Sequence, residues 1–74
     1  MSSMNTIEVN KMNWIKVNEE LPPLNVPLVA RSANDYGHGH VFEVFTFDGN
    51  MFTQDEAAMI LINGGFIEWL KIPE

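Results

Sequence analysis

The sequence predicts a small α+β domain, one helix packed on an antiparallel sheet of three to five strands, in the order β-β-β-(β)-α-β. Three observations carry this. The 74 residues are 46% hydrophobic and 11% aromatic, too apolar for a disordered segment. Short runs that alternate every second residue dominate, which is the period of a strand. One longer apolar run, 57–62, follows a helix-start signature. A chain of this size buries roughly 60% of the surface its unfolded form exposes, enough for one core and one domain.

Residues 1–12 are polar and rich in Met, Asn and Ser. They read as a flexible N-terminal extension, with a short edge strand at Thr6–Val9 as the alternative; the domain proper is 13–74. In 13–17, Trp14 and Lys16 alternate against Ile15 and Val17, a short strand or extended lead-in. Pro22 and Pro23 then stop regular pairing, because they lack donors and hold the chain extended. Val26 to Ala33 is the next strand, with Val26, Leu28 and Ala30 on one face and Pro27, Val29 and Arg31 on the other. Pro27 places it at a sheet edge, or confines the proline to its first residues. Residues 34–40, Asn-Asp-Tyr-Gly-His-Gly-His, form a turn-rich loop. Val41 to Phe47 is the strongest strand. Val41, Glu43, Phe45 and Phe47 share one face and Phe42, Val44 and Thr46 the other, so both faces are expected to be largely covered. Asp48-Gly49 signals a type I′ hairpin into Asn50-Met51-Phe52.

Thr53-Gln54-Asp55-Glu56 matches a capping box, and Phe52 and Ala57 stand where a hydrophobic staple packs. The run Ala57-Ala58-Met59-Ile60-Leu61-Ile62 is apolar all round, which predicts a helix buried on most sides or shared with a partner. Asn63-Gly64-Gly65 ends it. Phe66 to Ile72 closes the fold as a strand, with Phe66, Glu68, Leu70 and Ile72 alternating against Ile67, Trp69 and Lys71.

Ten acidic against four basic residues give a formal charge of −6. A phosphate-tracking nucleic-acid binder is therefore not expected. No cysteine is present, which excludes a disulfide framework and thiolate metal ligation. No apolar run approaches the roughly 20 residues of a membrane span, and 1–5 lack the blocks of a signal peptide. A cytoplasmic protein is the expectation.

No arrangement of side chains nominates a reaction. The adjacent pairs Glu19-Glu20 and Asp55-Glu56 belong to a turn and a helix start. Serines lack a nucleophile context, and the glycines do not form a phosphate loop. No catalytic residue, metal site or cofactor is assigned, and a non-enzymatic role is expected. His38 and His40 at i, i+2 in an extended loop point to opposite sides, so a small metal-binding protein built on 35–40 is a minor alternative. Asp35, Tyr36, His38 and His40 instead offer a contact loop. Glu43 and Glu68 sit in apolar strands: each faces solvent or pairs with Lys16, Arg31 or Lys71, or belongs to an acidic face that meets a basic partner. Trp14, Met59, Ile60, Ile62 and Trp69 are core residues or dimer anchors.

The opening Trp14-Ile15-Lys16-Val17-Asn18-Glu19-Glu20-Leu21-Pro22-Pro23, then Val26-Pro27-Leu28-Val29, and the closing Ile67-Glu68-Trp69-Leu70-Lys71-Ile72-Pro73 resemble the small phage and prophage proteins of domain-of-unknown-function family 551. That family opens Trp-Ile-x-Val-x-x-x-Leu-Pro and closes Thr-His-Trp-x-x-Leu-Pro. The likeness spans 13–73, strongest at the two ends. Glu68 stands where the family usually carries His, so no role of that His transfers. The resemblance implies a phage or prophage origin and a compact fold, with no agreed activity. Two functions are expected on these grounds. One is an accessory protein that binds a host protein, an acidic inhibitor of a basic nucleic-acid-handling or defence complex of restriction or CRISPR type. The other is a self-assembling homodimer that buries the apolar helix.

Overall fold

A computed structural model describes residues 13–34 and 37–73. It contains the strands β1 (Ile15–Lys16), β2 (Pro27–Ser32), β3 (Phe42–Thr46) and β4 (Phe66–Lys71), with one helix, α1 (Gln54–Asn63), between β3 and β4. The four strands form one antiparallel sheet in the order β1-β4-β2-β3. The α+β class and element order are as the sequence predicts. The readings on residues 1–12, including the strand at Thr6–Val9, lie outside the described residues.

The helix start is built as the sequence specifies. Thr53 Oγ1 accepts from the Glu56 N–H at 3.2 Å, and Glu56 Oε1 accepts from the Thr53 N–H at 2.8 Å. Two donors that the first turn would leave orphaned are thus satisfied reciprocally. Phe52 packs against the core just before the cap, as the staple requires. Thr53→Ala is expected to lower stability by about 1 kcal/mol; the shift of a urea unfolding midpoint checks this. At the far end Gly65 lies at φ +90, the left-handed conformation that lets the chain leave the helix.

Helix α1 covers one face of the sheet. Ala57, Ala58 and Leu61 meet Leu28, Ala30 and Trp69, joined at the rim by Val17, Phe47 and Phe66. The small residues at 57 and 58 let the helix approach closely. Trp69 lies across from Ala30 on β2 and from Ile15 on β1, and its indole Nε1–H donates to the Glu20 carbonyl at 3.0 Å. That bond ties the Pro-rich 18–24 segment to the sheet. Phe45 stacks on Phe47 at 5.5 Å and meets the edge of Phe66 at 5.4 Å.

Four expectations are corrected. Asp48-Gly49 does not turn a hairpin: the N–H groups of Met51 and Phe52 both donate to the Asp48 carbonyl, and the chain runs straight into α1. Gly49 serves close approach instead. Its N–H donates to Asn25 Oδ1 at 2.8 Å, and a Cβ there would fall 2.8 Å from the Asn25 amide nitrogen. The second correction concerns β4, where a register shift beside Arg31 and Ser32 pairs Ser32 with Phe66 and Arg31 with Glu68. The bulge moves Phe66 to the helix side with Trp69, against a simple alternation. Third, of the two alternatives that Pro27 offers the sheet edge falls and the other holds, a proline confined to the strand's first residues: β2 is an interior strand. Pro27 is tolerated because it is the first residue, where its carbonyl accepts from Ile72. Fourth, of the two alternatives for the apolar helix, burial on most sides within the domain falls: Met59, Ile60 and Ile62 are exposed, because the sheet meets only one flank.

Candidate functional site: the open sheet face

The side of the sheet away from α1 has no second layer among the described residues. Register decides what stands on it. Arg31 lies opposite Glu68 on β4 and Phe42 on β3, Val29 opposite Leu70 and Val44, and Lys16 opposite Glu68. Partners in register share a face, so these residues form one surface. Phe42 is 47% exposed and Val44 61%. The expectation that both faces of this strand are covered is overturned, because β3 is the sheet edge and α1 reaches only the other side.

A polar stack crosses this face. Arg31 Nε donates to Glu68 Oε1 at 2.7 Å, with both side chains only 14% exposed. The same guanidinium lies 4.4 Å from the centroid of the Trp14 ring, an arrangement worth about 0.5–2 kcal/mol. Trp14 in turn meets the Phe42 ring at 5.9 Å, and the His40 ring lies 6.0 Å from Phe42. Five residues from four separate stretches of the sequence thus become one platform. Beside it runs a shallow groove of about 320 Å³ lined by Trp14, Val29, Phe42, Leu70 and Ile72, with Lys71 and Pro73 at its end. A second groove, of about 400 Å³, lies on the exposed helix flank between Met51, Phe52, Met59 and Ile60, with Glu56 and Asn63 as its polar lining.

The structure sorts the residues that the sequence singles out. Asp35 and Tyr36 lie outside the described residues. His38 is exposed, while His40 Nδ1 donates to the Ser32 carbonyl. Among the described residues no three His, Asp or Glu side chains gather as a metal site would need. Glu43 is exposed on the helix side of β3, opposite Ala30. Glu68 takes the paired alternative and holds Arg31. Trp69 is core; Met59, Ile60 and Ile62 are surface.

Charge is unevenly placed. The open face carries Lys16, Arg31 and Glu68, whereas the exposed acids Glu19, Glu20, Glu43, Asp48, Asp55 and Glu56 lie on turns, on the helix start or on the helix side. The open face therefore carries a small positive balance, Lys16 and Arg31 against Glu68 with Lys71 at the end of the groove, and is otherwise apolar.

Compared with protein-family models, curated proteins and solved structures, the chain finds no match. Among the described residues no helix is long and apolar enough to cross a membrane.

Sequence reasoning missed Phe42 and Val44 as surface. The available signal was the strength of the strand itself: a β3 apolar on both faces demands two covering layers, and one helix supplies a single layer.

Proposed function

We propose that this protein acts by binding another protein, without catalysis, and that the open sheet face around Trp14, Val29 and Phe42 is its contact surface. The observation that carries the reading is the exposure of Phe42 and Val44 beside an apolar groove. Monomeric proteins rarely leave contiguous apolar surface without a use. A central aromatic and Arg platform is also what binding hot spots are made of. The resemblance to phage and prophage proteins supplies the setting, an accessory protein that engages a host protein.

The formal charge of −6 favours a basic partner, such as a nucleic-acid-handling or defence complex. Among the described residues the exposed acids stand off the open face, so they steer the encounter and the apolar surface holds the complex.

Affinity capture from host lysate with the tagged chain, set beside Val29→Glu, tests the reading. Val29 is half-buried at the centre of the open face, where an added carboxylate can reach solvent without entering the core. The expected result is a partner retained by the native chain and lost by Val29→Glu, with equal thermal midpoints for the two. Glu43→Lys should slow association several-fold at low salt and leave dissociation unchanged. A partner held equally by Val29→Glu would move the contact surface elsewhere, and a salt-insensitive association rate would remove the electrostatic part.

A further inference from the structure

The two edges of the sheet are treated differently. β1 is only two residues long, and a very short edge offers little to a passing strand. The other edge, β3, runs Phe42-Glu43-Val44-Phe45-Thr46 with no Pro, no Lys and no bulge in its register with β2. These are the devices that normally protect an exposed edge. Its one charge, Glu43, leans to the helix side, and an inward-turned charge is the single such device this strand carries.

The phase of the β2–β3 ladder fixes which backbone groups face outward. Ser32 N–H donates to the Val41 carbonyl, and Asn25 N–H to the Phe47 carbonyl. The odd-numbered residues therefore turn their N–H and C=O toward β2, and Phe42, Val44 and Thr46 turn theirs to the outer edge, which no other strand of the described residues pairs with. We infer that this edge pairs antiparallel with β3 of a second copy about a two-fold axis at Val44, giving one eight-stranded sheet.

Register selects this axis. With Val44 opposite Val44 of the second copy, Phe42 stands opposite Thr46 and Glu43 opposite Phe45. Every N–H and C=O that β3 turns outward then finds a partner, since 42, 44 and 46 are all in phase. An axis at Glu43 keeps the phase but sets the two Glu43 carboxylates directly opposite, which is unfavourable, and leaves Thr46 unpaired. The pairing is isologous, so it closes as a dimer and does not propagate. It also joins the two open faces edge to edge, with Val44 of each copy at the seam. The dimer stands whether or not the open face binds a host protein.

The test is the solution mass of the full chain by sedimentation or light scattering across micromolar to millimolar concentration, which needs no host partner. The native chain should reach twice its 8.4 kDa. In Val44→Pro only the outward N–H is lost, so the β2–β3 ladder survives, while both central bonds and the close approach fail. Dimer dissociation should rise by at least about 30-fold. Val44→Lys, a charge on the edge with no backbone change, should do the same if the proline variant folds poorly. Met59→Lys on the helix flank should leave the dimer intact. Because the chain has no cysteine, oxidised Val44→Cys should cross-link to a covalent dimer and Met59→Cys should not. A monomer at every concentration overturns the inference. So does a dimer that Val44→Lys leaves intact and Met59→Lys breaks.

Discussion

Trp69→Ala is expected to cost about 3–5 kcal/mol, close to the whole of what holds a domain of this size together. Trp69 is 4% exposed and spans the sheet between Ile15 and Ala30 under the helix. Truncation opens a cavity that Ala30, Ala57 and Ala58 are too small to fill. It also strips the Glu20 carbonyl of its indole donor. Trp69→Phe separates the two effects: most of the volume stays, the donor goes, and the loss should fall to about 1–3 kcal/mol. Urea unfolding followed by far-ultraviolet circular dichroism reads both. An alanine variant that keeps the native midpoint would mean that the helix does not rest on this ring.

Glu68→Ala carries the second largest expected effect, about 2–4 kcal/mol. Arg31 cannot shed its charge, so removing the carboxylate leaves a guanidinium mostly buried on the sheet, against the Trp14 ring and without its counter-charge. The asymmetry is testable. Arg31→Met with Glu68→Leu removes both charges and keeps apolar bulk, and should recover most of the lost stability. The thermal midpoints of the single and double variants, compared as a cycle, give the coupling. If Glu68→Ala were as stable as the native chain, the pair would be no more than a surface contact.

These two positions show how far the sequence could be read. Helix α1 was legible to the residue because its start depends on neighbours: Thr53 and Glu56 bond each other, and Phe52 stands one place before. The strands were legible from alternation. The partner of Glu68 was not, because Lys16, Arg31 and Lys71 all qualified, and only the bulge-shifted register sets Arg31 opposite. The same shift put Phe66 on the unexpected side. Asp48-Gly49 misled because a turn signal carries no information about the element it leads into. Here that element is a helix whose staple needs Phe52 at once. The site was the least legible part. Trp14, Arg31, Phe42 and Glu68 come from four separate stretches, and nothing local marks them as neighbours.

The strand order has a consequence for how the chain reaches this state. β4, the last strand made, occupies the slot between β1 and β2, so those two early strands have nothing to pair with each other until it arrives. β2 and β3 can zip locally, and α1 can nucleate from its own cap. Trp69, Phe66 and the carboxylate for Arg31 all enter together at the end. Contacts of such long sequence separation slow folding. A nascent or truncated chain ending before residue 66 would carry an exposed strand on both sides of a two-stranded ribbon, the state most prone to aggregate. The wedge that completes the sheet is also its lock: unfolding should begin when β4 is withdrawn, and both halves of the sheet should then fail as one event.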